Sequence, residues 1–432
     1  MNNNKNRLSL AIALGLLGSV ASTNSMAAGF QLAEYSATGL GRAYAGEAAI
    51  ADGADTQWRN VAMLTYLEGT QVSVGGIYVN PNIDVEGSTD GSASPIPSTP
   101  DTTTKSEDFA HDAIIPNLYV SHRVNQQLAI GFAVGTNYGM ETDLGTDFTA
   151  TNFGNEASVI TKEINVNMAY QINQQFSVGG GVRYVIAEGS FGAVAPNQTG
   201  PLAGTTLKYM EGTDEAWGWQ VGTAWQINDS NRIGFSYKSE VALNLEGKAN
   251  GFAFNPGAPN AKYNGSMELA LPATAELASY HQLNDKVAIH ASFNWTDWSS
   301  FEKLEAHIPA LTPPTQEIKQ ENWEDNYRLA LGGTYSLNQK VTLRTGVAYD
   351  TSAVSEEHRT ATIPETDRLW LSMGAGYAWS DNLTLDAGFT YIFAKDAKMH
   401  EDDAASLPAG GDFTGETTGN VWLVGVQANY RF

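Results

Sequence analysis

The chain has 432 residues, no cysteine and a formal charge of −23. Without cysteine there can be no disulfide framework, thiolate metal site or cysteine nucleophile, and the acidic balance excludes nucleic acid, whose phosphates need lysine and arginine. Charged residues are 16% of the chain, against about 25% in ordinary soluble proteins, while glycine and aromatic residues are plentiful.

Residues 1–27 read as a secretory signal. Lys5 and Arg7 form its positive start, Leu8 to Val20 its apolar middle, and Ser25-Met26-Ala27 its small-x-small exit. The apolar middle is short of the ~20 residues that span a bilayer, and no later run reaches that length. Any membrane embedding must therefore be by strands.

Residues 28–68 do not alternate. They carry Gly39, Gly41, Gly46 and Gly53 among alanine, arginine and aspartate, with more Phe, Tyr, Leu and Trp than a disordered tail holds. Too small for a core of its own, the segment is expected to bury its apolar residues inside a barrel lumen as a plug. A separate periplasmic cap is the alternative.

From residue 69 onward a short phrase recurs: an apolar residue, Asn, two or three polar residues, then a strand pattern. It stands at Val124-Asn125, Ile172-Asn173, Ile227-Asn228, Leu283-Asn284, Leu337-Asn338 and Ser380-Asp381-Asn382. Asn and Asp tolerate left-handed turns and bond their own backbone, so these read as hairpin turns. The spacing leaves room for two membrane strands of ~10 residues and a longer opposite loop. Twelve strands follow from six turns. An opening strand from about Thr70 to Tyr78 and a closing strand from Asn420 to Phe432 make fourteen. A soluble propeller has a similar repeat, but the secretory signal and period-two alternation favour an all-β transmembrane barrel over residues 69–432. Val287, Ile289, Phe293 and Trp295 share one face of a strand, with His290, Ser292 and Asn294 on the other. Trp225, Tyr335, Trp379 and Tyr430 suit an interfacial girdle.

Several motifs make the resemblance specific. Gly29-Phe30-Gln31-Leu32, Ser36 through Glu47 (with Gly39 and Arg42) and Arg59-Asn60 resemble the N-terminal hatch of the long-chain fatty acid transporter family, the FadL family. Trp295-Thr296-Asp297-Trp298-Ser299 and the stretch from Glu357-His358-Arg359 to Trp370-Leu371-Ser372 agree with it. The resemblance implies a fourteen-stranded barrel plugged by the hatch, in the bacterial outer membrane. It also implies capture of a hydrophobic ligand at extracellular loops, transfer to an internal pocket, hatch movement, and lateral exit near a kink in the third strand. Where the family usually carries Asn-Pro-Ala, this chain has Asn60-Val61-Ala62. Valine lacks proline's fixed φ and adds an N–H donor, so a less rigid hatch is expected there.

Candidate residues follow for each step. In the third and fourth long loops, Phe191, Val194, Leu202, Leu207, Tyr209, Met210, Phe252, Phe254, Tyr263 and Met267 could form a capture groove or pack on one another. Strand parity points Arg183, Arg328, Arg344 and Arg368 inward, and Lys208 stands at a loop edge. All five could take a carboxylate, or the arginines could pair with inward acids such as Asp386 and Glu47. In the third strand Gly131, Ala133 and Gly135 face inward, which suggests a side opening at Gly131 to Gly135 or close packing on the hatch.

An enzyme is not indicated: no G-x-S-x-G occurs, and the seven histidines have no ligand spacing. Glu401-Asp402-Asp403 reads as a solvated acidic loop. No cofactor or metal is implied. The expected surroundings are outer-membrane lipid, lipopolysaccharide and, through the terminal Phe432, the barrel assembly machinery, with the chain a monomer. Two rivals share the architecture: a carrier of aromatic hydrocarbons and an open aqueous porin.

Overall fold

A computed structural model describes residues 29–96, 98–402 and 410–432. The expected signal, residues 1–27, lies outside the described residues. Among the described residues, twenty-one extended segments join across bulges and kinks into the fourteen antiparallel strands of a closed barrel. We number these wall strands in chain order. β1 is Thr70–Asp90, and β2 joins Thr102–Ser106 to Ala113–Arg123. β3 is Leu128–Gly135, resumed at Gly139–Asp143. β4 is Glu156–Gln171, β5 Phe176–Val194 and β6 Thr206–Asn228. β7 joins Asn231–Lys238 to Val241–Asn250, and β8 joins Tyr263–Leu271 to Thr274–Gln282. β9 is Val287–Thr296, continued by Lys303–His307, and β10 joins Thr315–Gln320 to Asn326–Ser336. β11 is Val341–Asp350 and β12 Arg368–Ala378. β13 is Leu383–Ala394, continued by Ala397–Glu401, and β14 is Asp412–Arg431.

Closure comes from β1 on β14, in register from Gln71 opposite Arg431 to Asp90 opposite Asp412. The opening and closing strands thus run well past Tyr78 and start well before Asn420. The ~10 residues that cross a bilayer are only their inner part.

The turns explain themselves chemically. Asn125 Oδ1 accepts from the amides of Gln127 and Leu128, and Asn173, Asn284 and Asn338 repeat that pair of bonds. In the sixth turn the acceptor is Ser380 Oγ, bonded by the amides of Asn382 and Leu383. Asn382 instead donates its side-chain amide to Arg431 O. The repeat is a position, not a residue type.

Alternation places Ile289, Phe293, Val424 and Val426 outward and exposed, while His290, Ser292 and Gln427 are buried inward. Trp225, Tyr335, Trp379 and Tyr430 are outward and exposed near the short turns.

Residues 29–67 bond to inward groups from strands all round the wall. The Ala37 amide donates to Gln427 Oε1 on β14, Gly46 N to Ser292 Oγ on β9, and Ala54 N to Ser73 Oγ on β1. Gln57 Nε2 donates to Val120 O on β2, Asn60 Nδ2 to Thr223 O on β6, and Thr65 Oγ1 to Ser177 Oγ on β5. Two close approaches need glycine. A Cβ on Gly374 would lie 2.7 Å from Gly41 Cα, and one on Gly346 would lie 2.1 Å from Arg42 O.

Candidate functional site

The N-terminal segment meets the wall where the wall is broken. β3 pairs with β2 from Arg123–Ala129 to Leu118–Val134, and the ladder stops there. When β3 resumes at Gly139 it pairs with β4. Its remaining tie toward β2 is the single bridge of Ala110 to Thr142. Thr136-Asn137-Tyr138 therefore leave the sheet, and the N-terminal segment takes them up instead. The Leu32 amide donates to Asn137 O at 2.7 Å, and the Gly139 amide donates to Phe30 O at 2.8 Å. Side chains reinforce the contact. Asn137 Nδ2 donates to Glu163 Oε2 at 2.6 Å, and Lys238 Nζ donates to Asn137 Oδ1 at 3.0 Å while lying over the Trp58 ring.

This corrects the expected position of a side opening. Gly131 and Ala133 lie within an intact ladder on both edges. They are closely packed on the segment: a Cβ on Gly131 would meet Gln57 Oε1 at 2.1 Å, and one on Gly135 would meet the Trp58 ring at 3.1 Å. Glycine at 131 serves close approach, and the ladder to β2 lapses after Val134, so the break takes in Gly135, the last of the expected residues, and the three that follow it.

Within the segment, Arg42 binds Glu47 at 2.8 Å and Asp52 at 2.6 Å, and Tyr35 Oη donates to Glu47 Oε2. Gly39 lies against Tyr44, where a side chain would collide with the ring. Asn60 caps the short helix Val61–Tyr66 by accepting from the Ala62 amide at 3.0 Å. Its Nδ2 also reaches Ala48 O. Val61 and Ala62 are fully buried, so capping and packing supply the order that proline's ring would otherwise give.

Beyond the segment, toward the long loops, the interior is apolar. Phe30 is buried among Tyr138, Trp298, Phe301 and Trp323, with ring centres 4.7 to 6.2 Å away. Around that box one continuous cluster gathers Phe191, Leu207, Met210 and Phe254, with Leu202, Phe252, Tyr263 and Met267 against it. These are eight of the ten residues expected in the loops, although Phe191, Leu207, Met210, Tyr263 and Met267 stand on the strand extensions of β5, β6 and β8. Val194 and Tyr209 are not in the cluster; Tyr209 Oη bonds Glu211 instead. A cleft lined by Met210, Leu245, Met267 and Ile308, with Lys248 at its edge, opens between β6, β7, β8 and β9. Sequence reasoning missed Phe109, Phe148, Phe153 and Ile318, because these lie in loops or short segments without periodicity, and it noted Trp298 only as part of a motif.

All four inward arginines carry acids. Arg183 binds Glu163 at 2.8 Å, Arg344 binds Asp386 at 2.7 Å, Arg368 binds Glu365 at 2.8 Å, and Arg328 Nε lies 3.4 Å from Asp350. Lys208 is buried, its Nζ donating to Ile318 O at 3.1 Å. The residue after Ile318, Lys319, is buried too and binds Glu401 at 2.9 Å. No pattern of residues marks Lys319, which sits on a short polar extension of β10. Glu401 is also a correction: it is buried and paired, not part of a solvated loop.

The geometry offers a buried apolar cluster under the long loops, two buried lysines bonded to Ile318 O and Glu401, and a wall break held shut by the N-terminal segment. Comparison with known proteins agrees. Residues 18–432 match the family model described as outer membrane protein transport protein (OMPP1/FadL/TodX). A long-chain fatty acid transport protein of Escherichia coli O6:H1 is 33% identical over 98% of both chains. Outer membrane protein P1 of Haemophilus influenzae is 33% identical over 96% of this chain and 97% of its own. Among solved structures, a Pseudomonas aeruginosa FadL homologue superposes with a TM-score of 0.81, covering 94% of this chain and 100% of that one at 23% identity. A toluene transporter of Pseudomonas putida, TodX, gives 0.67 over 94% and 100% at 15% identity, a likeness of fold. The chain is a member of the OMPP1/FadL/TodX family of outer membrane transport proteins.

Proposed function

We propose that this protein takes up long-chain fatty acids across the outer membrane by passive diffusion, with residues 28–68 acting as the hatch. The observation that carries the reading is the continuous apolar cluster beneath the loops, in which the hatch's own Phe30 is embedded. The names of the relatives that match over nearly the whole chain support it. At ~0.8 kcal/mol per buried CH₂, a sixteen-carbon tail gains on the order of 10 kcal/mol by leaving water. Capture is therefore easy, and release requires a path whose stations are comparably favourable. In this reading the loop residues take the tail, and Lys208 and Lys319 meet the carboxylate. Movement of residues 30–32 then frees the Thr136–Tyr138 break for exit into the bilayer.

The deciding experiment compares oleate growth with toluene uptake in a strain lacking other carriers, alongside single-channel recordings. Oleate-dependent growth with small conductance is expected. Toluene uptake without oleate growth would move the cargo to aromatic hydrocarbons. Wide, permanent conductance would make the chain a porin.

A further inference from the structure

The outward face of the wall carries a groove of about 680 Å³ across β2 to β6. Its floor is the backbone of one hydrogen-bonded row, Ser121, Gly131, Asn167, Gly181 and Gln220. The side chains of Ser121, Asn167 and Gln220 turn inward and are buried. Two ridges of outward side chains flank that floor. Val120, Phe132, Val166, Val182 and Trp219 form the ridge on the side of the long loops. His122, Ile130, Met168 and Val221 form the ridge on the side of the short turns, and Gly180 interrupts it between Met168 and Val221.

Gly180 is the middle of three successive glycines, and its neighbours have a different reason to be glycine. A Cβ on Gly179 would lie 2.7 Å from Ala62 N in the hatch, and one on Gly181 would lie 1.9 Å from Asn167 Oδ1. Both are fixed by packing within the chain. A Cβ on Gly180 would come no nearer than 3.4 Å, to Gln220 O, which is an ordinary contact. Nothing in this chain forbids a side chain there. A glycine inside a strand gives up packing and chain entropy, and it often marks the close approach of a ligand.

The groove has a direction. Strands of an outer-membrane barrel tilt, so a row across them climbs from one membrane face toward the other. His122 stands just before the Asn125 turn, whereas Val221 stands well inside β6. The low end is polar and exposed, with His122 Nδ1 at 2.8 Å from Thr70 Oγ1. From there to Trp219 both ridges are apolar. Five strands at their usual spacing give a length of ~19 Å. With the tilt, that run fits one leaflet of a hydrocarbon core about 30 Å thick. Short turns face the periplasm, so this is the periplasmic leaflet.

We propose that the groove is a phospholipid site: one acyl chain of a periplasmic-leaflet phospholipid lies along the floor past Gly180, with its ester and head group at His122 and Thr70. The groove is continuous with the outward apolar band through which this outer membrane protein meets lipid, and its one polar end matches the polarity of such a molecule. The site is on the opposite side of the wall from the lumen and does not depend on the fatty-acid reading.

The test uses the full mature chain in nanodiscs of phosphatidylethanolamine that include an analogue with a diazirine midway along one tail, with labelled residues mapped by mass spectrometry. Met373, on β12, is outward and as exposed as Met168, and serves as the reference. Labelling at Met168 and Val182 should exceed that at Met373 by roughly tenfold. Gly180→Trp closes the gap in the ridge and should bring Met168 and Val182 down to the Met373 level. Should that variant fail to fold, Val221→Trp narrows the same gap with the glycine kept, and should do likewise. Equal labelling of Met168 and Met373 in the parent protein overturns the site, and so does groove labelling that both tryptophan variants leave unchanged. Displacement of the label by added oleate would assign the groove to the cargo. Crosslinks between two copies of the chain at the groove would assign it to a second barrel. Either result overturns the phospholipid.

Discussion

The main-chain amide of Leu32 donates to the carbonyl of Asn137 at 2.7 Å, so the hatch supplies β3 with the partner that the wall withholds. This bond joins two elements that are each incomplete. β3 leaves its ladder at Thr136, and residues 30–32 run outside any strand with amides that need partners. Each satisfies the other, which ties closure of the side wall to the seating of the N-terminus. The Asn137 side chain adds a second tie, because Glu163 and Lys238 both bond to it and Lys238 lies on the hatch Trp58.

Asn137→Ala should therefore loosen the hatch without unfolding the barrel. It removes one hydrogen bond to a carboxylate and one to an ammonium, and leaves Glu163 with Arg183 as its remaining partner. Losing charge-assisted bonds of this kind costs about 1.5–3 kcal/mol. Amide exchange at Leu32 and Gly139 should accelerate at least tenfold, while amides in the β1–β14 seam keep their protection. Unchanged exchange at Leu32 would show that Asn137 acts through its backbone alone.

Phe30→Ala should act more severely at the same place. Four aromatic rings enclose Phe30, and it is 1% exposed. Truncating a buried phenylalanine typically costs about 3–5 kcal/mol, and here nearly all of it falls on a terminal segment. Residues 29–32 should detach, so that a protease cleaves the native-state hatch at its start. Resistance equal to the parent protein would mean that the remaining hatch bonds hold the terminus unaided.

Two buried acids give a pH dependence of definite sign. Burial raises Glu34 and Glu365 to about 7 in the folded chain, with Arg368 opposing the rise at both. Unfolded, each returns to about 4.3. A raised folded value means that the native state binds the proton more tightly. The resulting stabilisation is complete below the unfolded value and is lost as pH climbs through about 7. The thermal midpoint in detergent should be higher at pH 5 than at pH 8.5. Glu34→Gln and Glu365→Gln, neutral at both, should each shrink that difference. Equal differences in parent and variants would place the titration elsewhere.

Much of this molecule is readable from residue order because a barrel repeats one rule. Period-two alternation decides which side chains face inward, and that alone orients Arg183, Arg328, Arg344 and Arg368. It does not name their partners, since pairing depends on register. Asp350 stands beside both Arg328 and Arg368 only because β10, β11 and β12 align as they do. The glycines of β3 pointed to Gly131 to Gly135, of which only Gly135 lacks a partner on β2: strand glycine signals both bulges and close packing, and Gly131 packs on Gln57. Loop aromatics such as Phe148 and Phe153 carry no periodic signal, and only the folded loops bring them into one cluster with Phe413.

Val61 offers the last test, at the position where the sequence resemblance leads to an expectation of proline. It is the first residue of the helix Val61–Tyr66, directly after the Asn60 cap. That position suits proline, whose ring presets a helical φ and whose missing N–H would have had no acceptor within the helix. Valine and proline are similar in bulk, so the packing against Leu64, Ala129 and Ala169 should survive. Val61→Pro should then raise stability by about 0.4–1 kcal/mol, chiefly by restricting the unfolded chain. The gain should appear as slower exchange at Met63 and Leu64 and a small rise in thermal midpoint. If the native hatch needs freedom at this turn to move, the same variant should take up oleate more slowly. A destabilised Val61→Pro would mean that valine's φ or its N–H is used in a way proline cannot reproduce, and that the hatch here has a geometry of its own.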